Sequence, residues 1–237
     1  DEIDLGLERC EQVARKLNLI DFEPTVVTVA GTNGKGSSVS LLEAISLAAG
    51  YRTGTYSSPH ISLFNERVRL NGQDVSDCLL CDAFLRVSLV EGANHLTYFE
   101  FVTLAGLLIF SDSDLDLVIL EVGLGGRLDA VNIISPDIAL ITMIGIDHSE
   151  WLGETRDLIG FEKAGIMRSG RPVVCSDKMV PESIYRRADE LSSPLFLLGG
   201  DYYYERGENS WVWWTDNCLL EDLPNPVLSG SHQFRNA

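Results

Sequence analysis

The sequence has no run of apolar residues approaching the 18 or more that a membrane helix needs, no internal repeat and no low-complexity segment. Its opening, Asp1-Glu2-Ile3-Asp4, is acidic where a secretory signal would be basic. Basic residues are scarce, with 18 Lys and Arg against 35 Asp and Glu, a formal net charge of −17. No Lys/Arg cluster stands out to grip a phosphate backbone against that repulsion, so nucleic acid is not an expected partner. Cysteine is limited to five scattered positions, an odd number that frames no disulfide set and suits reduced thiols. Cys78 and Cys81 form a C-x-x-C, but no second Cys/His pair sits at zinc-site spacing and no redox-type βαβ unit precedes it. These absences lead to the expectation of a soluble cytoplasmic protein. The chain starts at Asp rather than Met and stops after Gly230–Ala237 with no tail, so a fragment is expected.

What is present is an ordinary globular composition, 45% hydrophobic and 22% charged. Apolar, β-branched runs alternate with longer helical patterns, which predicts an α/β fold with a mostly parallel sheet flanked by helices. Strands are predicted at 25–30, 51–57, 67–70, 117–122, 138–143 and 172–175. Helices are predicted at 37–49, 75–90, 97–110, 155–166 and 182–191. From about 195 to 228 the pattern changes to short aromatic runs, Tyr202–Tyr204 and Trp211–Trp214, read as a small antiparallel addition.

The strongest local signal is Gly31-Thr32-Asn33-Gly34-Lys35-Gly36-Ser37, between a predicted buried strand and a predicted helix. Glycines let backbone N–H groups approach phosphate oxygens, the helix N-terminus adds partial positive charge, and a lysine reaches the outer phosphates. It is not the strict G-x-x-x-x-G-K-[ST] pattern, because Gly36 follows the lysine and Val29 stands at the first glycine position. Glu121 ends a run of Leu, Val and Ile, where a carboxylate is costly unless it binds metal or pairs; Arg127 is the alternative partner. His148 follows another predicted core strand and is by itself either a ligand or a structural histidine. Lys163 on spacing alone reads as a solvated helix lysine.

Several segments taken in order resemble one family. They are Thr28–Ser37, Tyr56–His60, Asn65–Val68, Leu96–Phe101, Leu120–Ala130, Asp147-His148, Trp151–Gly153 and Glu162–Ile166. This set is similar to the dihydrofolate synthase/folylpolyglutamate synthase family of Mur-type ATP-dependent amide ligases. The resemblance implies ATP held by Thr32, Asn33, Gly34, Lys35, Gly36 and Ser37, and two Mg²⁺ ions held with Ser58, Glu121 and His148. It implies that Lys163 is carbamylated and that Lys35, Glu121, His148 and Lys163 form the catalytic group. It further implies a pterin-bearing substrate near Thr97, Phe99, Asp129 and Ala130, with simple core packing the alternative for Phe99. The stretch His232–Ala237 is similar to the end of the family's ATPase domain, with Asn236 approaching the adenine.

On that resemblance, residues 1–237 are expected to be the ATP-binding domain, 229–237 its end, and the family's C-terminal domain absent. The expected activity is joining dihydropteroate, or a reduced folate, to L-glutamate through an acyl phosphate, weakly in this chain alone and as a monomer. The rivals are another Mur-type amino-acid ligase and a nucleotide-binding module that does not ligate. The segments at 96–101 and 57–60 weigh against the first, and Glu121, His148 and Lys163 together against the second.

Overall fold

The computed structural model describes residues 6–228 and 230–237; the acidic opening Asp1–Asp4 lies outside them. The chain begins with helix α1 (Glu8–Lys16), strand β1 (Thr25–Ala30), helix α2 (Lys35–Ala48) and strand β2 (Thr53–Tyr56). Two short strands, β3 (Val68–Leu70) and β4 (Gln73–Asp74), turn at Asn71-Gly72 and lead to α3 (Asp77–Ser88) and α4 (Tyr98–Ser111). Then come β5 (Leu117–Glu121), β6 (Ile138–Ile141), the one-turn α5 (Ser149–Leu152), α6 (Arg156–Ala164), β7 (Val173–Cys175), α7 (Glu182–Glu190) and β8 (Leu195–Leu197). The described chain closes with β9 (Tyr203–Arg206), β10 (Ser210–Trp214), β11 (Leu219–Pro224) and the short α8 (Gln233–Asn236).

The order of the large sheet is β4-β3-β2-β5-β1-β6-β7-β8. Its strands from β2 to β8 run parallel, and β3 and β4 form an antiparallel edge. The central strands are apolar on both sides because both faces are covered. Val26, Val118 and Leu120 belong to a core shared with α1, α3 and α4, whereas Val27, Val29 and Ile119 face Val39 and Leu42 of α2. The α4 segment Val102–Phe110 is buried throughout, as its nearly all-apolar sequence requires.

Most predicted elements lie where expected, and the differences have local causes. The helix expected from Val75 begins at Asp77 because the Ser76 hydroxyl accepts from Leu79 N and caps it. The strand expected through Met143 ends at Ile141, since the Thr142 hydroxyl turns to the carbonyls of Ala30 and Asn33. The expected antiparallel start near 195 is corrected: Leu195–Leu197 pairs in parallel with β7 at the edge of the large sheet. The antiparallel addition is β9–β11. Helix α1 escaped the sequence reading. Among the described residues no helix is long and apolar enough to cross a membrane.

Candidate functional site

Strand order decides the site. β1 lies between β5 and β6, so the segments leaving their carboxyl ends, 31–34, 122–126 and 142–148, emerge side by side. Open α/β sheets bind ligands at this position.

The phosphate-loop candidate caps α2. Gly34 is its N-cap with φ +96, and a Cβ there would lie 2.4 Å from Asn236 Oδ1. Only glycine satisfies both the left-handed backbone and that approach. Asn236, nearly two hundred residues distant along the chain, is thereby seated against the loop, and Ser38 Oγ donates to its backbone carbonyl at 2.9 Å. Gly34→Ala is expected to destabilise the protein by about 1 kcal/mol or more, because an alanine cannot take this backbone conformation cheaply. Urea denaturation would measure it. A variant as stable as the parent would mean that the loop does not hold this left-handed backbone at residue 34.

Glu121 ends β5, 5% exposed, with Oε2 accepting from Ser58 N at 3.4 Å and facing the first turn of α2 at Gly36. Burial pushes its pKa up to about 7; the charge of Lys35 and the Ser58 N–H oppose the rise, and Asp129 adds to it. Arg127 does not pair with it. That guanidinium binds Glu162 through Nη2 at 2.9 Å and Nε at 3.2 Å, and no ion pair to Glu121 occurs among the described residues. The alternative reading of Glu121 is thus overturned, leaving a desolvated carboxylate beside a lysine and a helix N-terminus.

A cavity of ≈ 30 Å³ is lined by Thr32, Lys35, Gly123, Asp147, His148 and Lys163, among others. Lys163 is 3% exposed, not the solvated lysine its spacing suggested. Burial lowers its pKa to about 8, with Lys35 adding to the fall and Asp147 opposing it. His148 is exposed, in the left-handed region at φ 49, and its Nε2 lies 3.7 Å from Asp147 Oδ2. Lys35 itself donates to Gly31 O at 3.1 Å, lines this cavity, and its charge acts on both Glu121 and Lys163.

The remaining expected residues fall into two sets. Thr97 caps α4, its hydroxyl accepting from Glu100 N at 3.3 Å while Glu100 Oε2 accepts from Thr97 N at 2.7 Å. Phe99 is half-buried, edge-on to Tyr56, and so close to Gly123 that a Cβ there would be 2.6 Å away. Asp129 is fully enclosed and accepts from Leu124 N at 2.8 Å and Val131 N at 3.1 Å, so it also holds the glycine-rich turn. Burial raises its pKa to about 6 against those N–H groups. Ala130 is 3% exposed and packs in the core. Thr32 turns its hydroxyl to the backbone of Gly145, Asn33 bridges to Met143, and Ser37 lies in the first turn of α2.

Two residues that the sequence reading did not single out border this region. Arg67 is buried, donates to His60 Nδ1 at 2.9 Å, and stacks over Phe64 and Tyr98. Glu100 Oε1 is buried without a hydrogen-bond partner. Only the capping spacing from Thr97 to Glu100 was legible as a signal. Cys78 and Cys81 are exposed free thiols on α3.

Whether the donors suit a divalent cation follows from their chemistry. Among the described residues no cluster of three or more His, Cys, Asp or Glu forms a closed metal cage. The donors that the resemblance implies, the buried Glu121 carboxylate, the Ser58 hydroxyl and the His148 imidazole, are mostly oxygen. That fits Mg²⁺, which keeps several waters and takes phosphate oxygens.

Residues 29–190 match the family model of the Mur ligase middle domain. The chain is 45% identical over 226 residues to dihydrofolate synthase/folylpolyglutamate synthase of Escherichia coli, covering 95% of this chain and 54% of that protein. The structure of E. coli FolC in complex with DHPP and ADP superposes with TM-score 0.94 at 42% identity, covering 100% of this chain and 57% of that one. A bifunctional folylpolyglutamate synthase/dihydrofolate synthase with Mn, AMPPNP and L-glutamate bound gives TM-score 0.90 at 45% identity, over 99% and 57% of the two chains. The chain therefore spans about half the length of these relatives.

Proposed function

Since the chain belongs to the Mur ligase middle domain family, we propose that it is the ATP-binding part of a cytoplasmic ligase joining the carboxylate of dihydropteroate, or of a reduced folate, to L-glutamate. A carboxylate is inert to an amine at neutral pH because its leaving group would be oxide. Taking the γ-phosphoryl group of ATP converts it into an acyl phosphate; attack by the glutamate amine then expels phosphate.

Each part of the site has a task in that sequence. The N–H groups of 33–37 cradle the phosphates, that of Thr32 being donated to Met143 O at 2.8 Å, and Lys35 neutralises charge on the oxygens of the phosphoryl group in flight. Ser58, Glu121 and His148 would hold two Mg²⁺ ions, whose chemistry when bound is to screen the phosphates and polarise the phosphoryl group. Lys163 as a carbamate presents an anion where an ammonium would repel cations. Asn236 and the ≈ 500 Å³ apolar groove beside it suit the adenosine. Phe99, Asp129, Thr97 and the Ala130 backbone border the pterin-bearing substrate. The same reading takes residues 1–237 as one ATP-binding domain with β9–β11 as its appendage.

What carries the proposal is Lys35, whose charge acts on the buried Glu121 held by Ser58 N and which lines one cavity with His148 and Lys163. Calorimetric titration tests it. The protein is expected to bind AMP-PNP in a Mg²⁺-dependent way and then dihydropteroate, but not a nucleotide-sugar peptide. Nucleotide binding indifferent to EDTA, or preference for the peptide, would count against the reading.

A further inference from the structure

Residues 144 and 145, just beyond β6, have an unusual environment. All four of their backbone polar groups are taken by side chains from elsewhere in the fold. Ile144 N donates to Asp177 Oδ2 at 2.6 Å, and Ile144 O accepts from Arg156 Nε at 2.9 Å. Arg156 Nη2 closes the triangle on Asp177 Oδ2 at 2.9 Å. Gly145 N donates to Thr32 Oγ1 at 3.0 Å, and the same hydroxyl donates to Gly145 O at 3.1 Å. Asp177 is 4% exposed, so this ion pair is shielded on its acidic side.

The turn that follows is held quite differently. Ile146, Asp147 and His148 are exposed; Asp147 Oδ1 accepts from His148 N at 2.9 Å and its Oδ2 lies 3.7 Å from His148 Nε2. Wherever residues 144 and 145 are fixed, the His148 imidazole is fixed within the reach of a short tether.

We infer that Thr32 and the Arg156–Asp177 pair are positioning residues: together they lock the base of the Asp147-His148 turn to the phosphate loop, so that His148 meets the triphosphate at a set distance. Thr32 is then not a phosphate ligand through its side chain. Its one hydrogen and one lone pair are spent on Gly145, and it contributes to the phosphates only its place in the loop. Arg156 suits its part because its planar fork bridges a carbonyl and a carboxylate at once, which a lysine would not reproduce. The inference rests on the reading of His148 as a cation ligand beside bound nucleotide.

The test uses this chain with Thr32→Val, Thr32→Ser and Asp177→Asn, and two measurements. Amide hydrogen exchange without nucleotide or metal is expected to accelerate about 10-fold over residues 144–152 in T32V, since each lost hydrogen bond is worth around a factor of ten at most. Exchange in β1 and β5 should stay unchanged, and T32S should restore the parent pattern. ADP affinity in EDTA is expected to be unaltered in D177N, which lies outside the phosphate loop, whereas Mn²⁺ affinity of the ADP complex, read by electron paramagnetic resonance, should fall about 10-fold. If T32V does not fold, D177N must show the same local acceleration together with that loss of Mn²⁺. Unchanged exchange, or equal loss of ADP affinity with and without metal, overturns the inference. Failure of the parent chain to bind Mn·ADP would instead overturn the functional reading, while the exchange data still judge the latch.

Discussion

Glu121→Gln is expected to remove divalent-cation binding and, in the same protein, to raise the melting temperature of the metal-free form above neutral pH. The two effects share one cause. Burial pushes the Glu121 pKa from 4.5 up to about 7, against the opposing charge of Lys35 and the Ser58 N–H. Between these two values the folded state keeps a proton that the unfolded chain has released. Stability therefore falls as pH rises through the window, and the full cost is present above about pH 7. Glutamine carries no charge and still offers Ser58 N an acceptor oxygen. The variant should gain about 1–3 kcal/mol at pH 8, roughly 2–4 °C per kcal/mol for a domain of this size, and little at pH 4.5. Loss of a direct ligand should weaken Mn²⁺ binding at least as much as the 10–100-fold that outer-shell partners typically contribute. Thermal melts at the two pH values and Mn²⁺ titration check both halves. A variant that melts lower at pH 8 and keeps its metal would show that Glu121 is a structural residue.

Lys163 should behave with the opposite sign. Its pKa is lowered from 10.5 to about 8, first by burial and then by Lys35. Between these values the unfolded chain is protonated and the folded one is not, so stability rises with pH through the window and the penalty is fully present below about pH 8. Near pH 8 a large share of the side chain is the neutral amine, the form that adds to CO₂ and releases a proton as the carbamate forms. In ¹³C-bicarbonate at pH 8 the parent protein is expected to show a carbamate resonance that Lys163→Met lacks. The same variant should melt higher at pH 7 and bind Mn²⁺ about 10–100-fold more weakly in the ADP complex. An identical resonance in both proteins would place the modification on another amine.

These expectations separate what kinds of residue the sequence made legible. The loop at 31–37 could be read because its chemistry is local: glycines, one lysine and a helix start lie within a few residues of one another. The capping box of Thr97 and Glu100 is equally local, though it was not read. Lys163 was not legible. Its helix is amphipathic, and which side faces the sheet is a property of the packing against α7 and the Gly126 turn. Likewise Thr32 looked like a phosphate contact within its loop, and only the approach of Gly145 shows where its hydroxyl points. The Leu195–Leu197 strand resembled the aromatic addition beside it because short edge strands carry little pattern of their own.

By itself the sequence determined the α/β class, the phosphate loop and the positions of most strands and helices, because these rest on apolar periodicity and turn chemistry over short stretches. The tertiary structure decided that β1 lies between β5 and β6, and hence that Lys35, Glu121 and the His148 turn share one end of the sheet. It also decided that Arg127 takes Glu162, so that Glu121 makes no ion pair among the described residues. Pairing between distant segments and the removal of water from a charged side chain are properties of the assembled packing, and no window of sequence contains them.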